Sequence, residues 1–345
     1  MIKIKYFYFL IIFLLCFSIT LFLFLTIYQK NTAFNEKEID FYIPNNFSFE
    51  EVVNSLSPFL VSSKTFIFVS NLKGYSSRIK HGKYKIKKGS SNNQIINILR
   101  SKSLPIKLTF NNQETLEDLA GRISIQIESD SLSLIKIFRD TVFLKKNDFN
   151  FKNAISMYIP NSYEFYWNTT AGEFRNRMFI EYKKFWNKSR VKKANLINLS
   201  KLQISTLASI EQKEANRINE KKKIAGVYLN RIKRNMKLQA DPTVIYSIKF
   251  ENQDFDTIIR RVLFRDLRIN SKYNTYKYNG LPPGPISMPD ISSIEAVLNY
   301  TKHNYLYFVA NPEKPGYHNF SDKLSTHNFY RKKYIKWLNN KKLYR

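Results

Sequence analysis

The densest hydrophobic stretch comes first. From Tyr6 to Tyr28 the chain carries no charged residue. At about 1.5 Å of rise per residue, a helix of that length covers the roughly 30 Å hydrocarbon core of a bilayer, so the stretch predicts a transmembrane helix over 6–28. Lys3 and Lys5 precede it, which by the positive-inside tendency makes 1–5 a cytoplasmic stub. No second apolar run of comparable length follows, so everything after Gln29 is expected on the periplasmic or extracytoplasmic side of the cell (inner) membrane. The run is longer than a usual signal-peptide core and no small-x-small site follows Ile27, which favours a retained anchor over a cleaved signal.

Beyond the anchor the period shortens. Phe41 to Pro44 and Lys83 to Ile86 read as strands, each followed by a helical stripe, Phe49 to Leu56 and Asn92 to Leu99. Pro58 stops the first helix and Gly89 to Asn92 supplies a turn and cap for the second. Thr65 to Val69 fits a strand or a helix. Lys107 to Phe110 reads as another strand, with Thr115 capping a helix through Leu119. Pro160-Asn161-Ser162 reads as a turn before the aromatic cluster Tyr163, Phe165, Tyr166 and Trp167, which forms core more often than a sugar-stacking platform. Thr170 to Trp186 is a helix with Phe174, Met178 and Tyr182 on one face, and Tyr305 to Val309 with His318 to Phe320 is a strand pair. The fold class is α+β.

Composition changes this picture in two ways. The chain has 345 residues, 43% hydrophobic and 15% aromatic, which excludes a disordered chain. Its formal charge of +29, from 56 Lys and Arg against 27 Asp and Glu, suits a polyanionic partner or surface. The basic residues are scattered and no nucleic-acid motif is present, so with the exported topology no nucleic-acid partner is expected. Cys16, the only cysteine, lies inside the apolar run, so neither a disulfide nor a Cys-based zinc site can form within the chain.

The chemistry concentrates after residue 200. Leu207, Ile210 and Ile218 fall on one face of a predicted helix, and Glu214 shares it. A carboxylate on a buried stripe needs a partner or surrenders its charge, and a raised pKa makes a general acid near neutral pH. A salt bridge from Glu214 to Arg217 or Lys221 is the structural alternative. Glu211 lies close to the same stripe, and periodicity does not choose between the two carboxylates. Asp241-Pro242-Thr243 has the form of an N-cap followed by Pro at the first helical position, for a helix Val244 to Ile248. Leu281-Pro-Pro-Gly284 makes a rigid loop that could wall a groove. His318 and His327 have no acidic or Cys companion at ligand spacing, so no metal is expected.

These residues also carry a resemblance. Leu207-Ala208-Ser209-Ile210 with Lys213-Glu214, then Ala225, Val227, Asn230-Arg231 and the run Met236 to Tyr246, resemble the endolytic murein transglycosylase (YceG-like) family. Tyr273-Asn-Thr-Tyr276, Gly280-Leu-Pro-Pro-Gly284, Pro285-Ile-Ser287, Pro289, Tyr305 to Val309, His318-Asn-Phe320 and His327-Asn328 continue it in order. Ala240, where a small polar residue is common, is a minor departure, and 130–167 matches more loosely. The resemblance implies that Glu214 is catalytic, that Glu211 sits where no carboxylate is required, that 38–104 is a LysM-like subdomain, and that 105–345 is the catalytic region.

The implied reaction is peptidoglycan lytic transglycosylation, a carbon-oxygen lyase activity without a cofactor. It cuts the MurNAc-GlcNAc bond of nascent glycan strands and leaves 1,6-anhydroMurNAc ends. Glycosidases usually need two carboxylates, whereas here the substrate's own C6 hydroxyl attacks, so one acid/base suffices. Gln239, Asp241, Asn274, Tyr276, His318 and Asn328 are the candidate substrate-binding residues. Peptidoglycan synthases are the implied working neighbours. The rival readings are a non-catalytic peptidoglycan-binding scaffold and an ordinary hydrolase.

Overall fold

The computed structural model describes residues 2–215 and 217–341. Met1 of the predicted stub, Asn216, and 342–345 at the end of the predicted catalytic region lie outside the described residues. Helices and short strands mix as the α+β pattern requires, and the chain divides into two compact units. The first comprises residues up to 108 with 126–129 and 163–170. The second comprises 109–125, 130–162 and the chain from 171 onward.

The first unit opens with α1 (Ile2–Tyr28), whose stretch Ile4–Tyr28 is long and apolar enough to cross a membrane and has almost entirely exposed side chains. Thr20 returns its hydroxyl to the Cys16 and Phe17 carbonyls at 3.0 and 2.9 Å, so it brings no orphan donor to an apolar surrounding. Strand β1 (Glu38–Ile43) leads to α2 (Phe49–Leu56) and α3 (Ser63–Leu72), then β2 (Gly82–Lys87) leads to α4 (Asn92–Arg100). The ambiguous stretch Thr65 to Val69 is therefore helical. β1 and β2 pair antiparallel with Phe41 opposite Tyr84, and the alternation puts Phe41, Ile43, Tyr84 and Ile86 inward. Capping boxes start α2 (Ser48 with Glu51) and α4 (Ser91 with Gln94), satisfying helix-end donors locally. Buried Asn31 bonds Ser62 and Asn92, and Asn92 also donates to the Thr26 carbonyl at 2.9 Å. The end of α1 is thereby stitched to the module, with Ile27 against its core.

Strand β3 (Pro105–Phe110) precedes α5 (Leu116–Ser124), α6 (Ser131–Phe138) and α7 (Thr141–Lys146). Thr115 caps α5 in a capping box with Asp118. Strand β4 (Asn161–Tyr166) pairs with β3, which corrects the predicted turn at Pro160-Asn161-Ser162. Asn161 and Ser162 already belong to the strand, and the Ser162 hydroxyl meets that of Thr109 at 2.7 Å. Phe165 of the aromatic cluster is buried, while Tyr163, Tyr166 and Trp167 are half-buried.

In the second unit α8 (Ala171–Phe185) and α9 (Lys188–Leu196) lead to α10 (Lys201–Glu214), whose residues 204–211 are all buried. Around it pack α11 (Ile218–Lys233), α12 (Asp241–Asn252) and α13 (Ile291–Leu298). Strands β5 (Tyr307–Ala310) and β6 (His318–Ser321) form the expected antiparallel hairpin, with Tyr307 opposite Ser321. The closing helix α14 (Leu324–Asn340) packs against that hairpin. Gly284 of the Pro-rich loop passes so close to the Lys152 carbonyl that a Cβ there would collide with backbone.

Candidate active site

The predicted helix through Ile218 is broken. Ala215 is extended (φ −87, ψ 109), α10 stops at Glu214, and Ile218 opens the next helix with 77% of its surface exposed. Glu214 is thus the last residue of a buried helix, at the negative end of its dipole, where an ionised carboxylate is disfavoured. It is half-buried, and Oε1 accepts the Tyr228 hydroxyl of α11 at 3.0 Å, in place of either salt bridge considered from sequence. Burial pushes its pKa up to about 7. The Tyr228 hydrogen bond pulls the other way, the negative charge of Asp241 adds to the rise, and Arg231 opposes it.

Arg231, one turn beyond Tyr228, organises the floor. Its Nε donates to the Leu306 carbonyl at 2.6 Å and Nη1 to the Leu238 carbonyl at 2.7 Å, with Gln239 Oε1 at 3.5 Å. This joins the end of the 234–240 link to the residue that precedes β5. Gln239 adopts φ +50, a left-handed backbone that a side chain tolerates at a cost. Its N–H donates to the Thr275 carbonyl, and Ala240 N–H donates to the Thr275 hydroxyl at 3.0 Å. The loop around 271–278 is thereby fastened to the start of α12.

Asp241 is the first residue of α12 and Ala240 its N-cap, which corrects the capping role read for Asp241. Freed from capping, the exposed Asp241 carboxylate accepts the Tyr276 hydroxyl at 2.6 Å. Asn274 is fully buried, with Nδ2 on the Leu267 and Ile269 carbonyls and Oδ1 accepting the Tyr276 N–H. This corrects the expectation that Asn274 touches substrate, because its polar atoms are committed to shaping the loop that presents Tyr276. His318 gives its backbone N–H and Nδ1 to the Glu220 carboxylate at 3.2 and 3.0 Å. Asn328 is exposed on α14. His327 stacks on Tyr307 at 5.3 Å.

Glu211 differs sharply from Glu214. It is fully buried, and among the described residues no hydrogen bond of normal geometry reaches either carboxyl oxygen, the Ser293 hydroxyl being its polar neighbour. Burial pushes its pKa up to about 8, against the attraction of Lys221. Lys221 is committed to Ser292 at 2.8 Å, Ser293 at 2.7 Å and Asp290 at 3.4 Å. Glu211 has the perturbed pKa of an active-site acid but no access to a substrate.

A sequence profile of the YceG-like family matches residues 41–333. The chain belongs to that family. It is 32% identical over 324 residues to the endolytic murein transglycosylase of Bacillus subtilis (strain 168), covering 88% of this chain and 86% of that protein. A relative of the same description from Streptococcus pneumoniae serotype 2 is 38% identical over 113 residues, 33% of this chain and 20% of that longer protein. The crystal structure of a YceG-like protein from Listeria monocytogenes matches with a TM-score of 0.55 at 30% identity, covering 85% of this chain and 99% of that one.

Of the site residues named from sequence, Glu214, Asp241 and Tyr276 belong to one electrostatic cluster, since both Asp241 and Glu214 act on the Tyr276 hydroxyl. Sequence reasoning missed Tyr228 and Glu220 as site components, and took Arg231 only as a marker of the YceG-like family. Tyr228 and Arg231 are three residues apart in a predicted helix, on a stripe with buried Ile224 and Val227. Two polar-ended side chains on an apolar stripe were the available signal.

Proposed function

We propose that the chain is a membrane-anchored murein lytic transglycosylase with Glu214 as its acid/base. The observation that carries this reading is a half-buried carboxyl group at a helix end, raised to about pKa 7 and held by Tyr228. At neutral pH such a group is protonated in a large fraction of molecules, and as its conjugate base it still accepts a proton. Glu214 protonates the glycosidic oxygen that leaves with GlcNAc. The C6 hydroxyl of the same MurNAc closes on the anomeric carbon, and Glu214 takes that hydroxyl's proton. The C1–O4 bond is exchanged for C1–O6, no water is consumed, and the enzyme returns to its starting state. Asp241 and Tyr276 stand beside the oxocarbenium-like charge, with Gln239 and His318 as further sugar contacts.

The relatives' descriptions as endolytic murein transglycosylases support the substrate class. For α1 we favour an anchor over a removable signal, because Asn92 and the module core hold its C-terminal end. With the N-terminus cytoplasmic, the catalytic region lies outside the cytoplasm, where new glycan strands emerge beside their synthases, and tethering raises its effective concentration there. The strand-helix pairs within 38–104 we read as a LysM-like glycan-binding module, followed by the catalytic region from 105 onward. The test is the chemical form of the product ends: anhydro ends mark attack by the sugar hydroxyl, and reducing ends mark attack by water.

A further inference from the structure

The β5–β6 hairpin and α14 line an open cavity of about 200 Å³, bounded by Asn311, Gly316, Tyr317, His318, Tyr334 and Trp337. Three observations give it a purpose. Tyr334 and Trp337, one helical turn apart, lie 6.0 Å apart between ring centroids with planes only 17° from parallel. Both rings line the cavity, and an aromatic face presented to a cavity suits the C–H face of a pyranose, which is apolar on its face and polar at its rim. His318 is locked through Nδ1 and its own N–H onto the Glu220 carboxylate, with side-chain exposures of 11% and 10%. A histidine oriented in this way has Nε2 left as the ring atom for a ligand hydroxyl.

The third observation is the cavity's link to Glu214. Arg217, three residues beyond Glu214, sets its guanidinium 5.6 Å from the centre of the Tyr317 ring. Its Nε is only 3.2 Å from where a Cβ on Gly316 would sit, and Gly316 has φ +82, a backbone conformation that favours glycine there. Asn219 donates to the Tyr317 hydroxyl at 3.4 Å. The hairpin turn therefore rests on Arg217 and the first turn of α11. On the other side, Phe308 packs edge-on against both Tyr228 (5.8 Å) and His318 (5.3 Å), so one ring separates the acid's hydrogen-bond partner from the cavity wall.

We infer that this cavity is a second sugar subsite, holding a pyranose ring of the glycan strand away from the bond that is cut, with Trp337 and Tyr334 as its platform and His318 as its polar contact. The inference rests on the glycan reading of Glu214 and deepens it. A ring gripped beyond the cleaved bond makes affinity depend on strand length and favours cutting inside a strand over trimming an end.

The experiment measures binding of peptide-free glycan strands of graded length to the detergent-solubilised full chain carrying Glu214→Gln, with and without Trp337→Ala, Tyr334→Ala or Trp337→Phe. In the Glu214→Gln background affinity is expected to rise with strand length. Trp337→Ala is expected to weaken binding of long strands about tenfold and flatten the length dependence, while Trp337→Phe, which keeps a flat ring, retains most of both. Kd values within twofold of the background at every length for both alanine variants would overturn the subsite. Absence of strand binding by the background itself would remove the glycan reading along with it. Undiminished anhydro product from Glu214→Gln would remove only the acid assignment and leave the binding comparison standing.

Discussion

Two carboxylates three residues apart on α10 have raised pKa values for the same primary reason, burial, yet only Glu214 keeps partial exposure to solvent. Glu214 combines its shift with partial exposure and a donor hydroxyl, and as the proposed acid its protonated form would set the rate of bond cleavage. Then kcat/KM falls as pH rises through about 7, the value to which burial lifts this group. The Tyr228 hydrogen bond favours the ionised form, so Tyr228→Phe should move that falling limb to higher pH by up to about one unit. A pH–rate profile measures it, and an unmoved limb would mean that another group titrates.

Glu211 bears instead on stability. Its folded-state pKa of about 8 lies above the ordinary 4.5, so the group opposes folding wherever the unfolded chain has released its proton. That cost is absent below pH 4.5, grows as pH rises, and levels off above about 8. At pH 7 it amounts to on the order of 3 kcal/mol. Glu211→Met, which fills similar space without the charge, is expected to stabilise the chain by about that amount at pH 7 and to lose the gain at pH 4. Denaturant melts at the two pH values test it.

At the scale of elements, the site is made by interruptions. Ala215 ends α10 so that Glu214 emerges from a buried helix, and the loop carrying Tyr276 is fastened to the start of α12 through Thr275. The Pro-rich loop depends on Gly284, whose Cα lies against the Lys152 carbonyl. Gly284→Ala is expected to cost about 2–3 kcal/mol in denaturant melts through overpacking against backbone, which cannot yield as a side chain can.

Much of this scale was legible in the sequence. Strands β1, β2 and β3, helices α2, α4, α5 and α8, and the β5–β6 pair follow from alternation, helical stripes and capping residues, which act locally. The break at Ala215 was not legible, because Lys213-Glu-Ala contains neither Gly nor Pro and the apolar spacing runs on to Ile218. Tyr228 and Glu220 were hidden by the same break, which decides what they face. Asn274 was misread because its Leu267 and Ile269 partners belong to a loop without periodicity. Asp241 was misread by one position, within the usual uncertainty of a helix start.

For the whole molecule, the question is whether α1 or surface charge would hold it at a membrane. A formal charge of +29 would by itself draw the chain to anionic lipid, and that attraction is screened within about 10 Å at 0.1 M salt. An inserted α1 is held by its apolar length, to which salt is indifferent. The full chain is therefore expected to stay in the membrane fraction through a high-salt wash and to leave only with detergent. Release by salt alone would assign the attachment to surface charge.

The most direct measurement is mass spectrometry of the fragments that the detergent-solubilised full chain releases from purified peptidoglycan in ¹⁸O-labelled water, run beside Glu214→Gln. The expected result is 1,6-anhydro ends without label from the parent and a loss of about a thousandfold in their release by the variant. Labelled reducing ends, or equal anhydro release by both proteins, would contradict it.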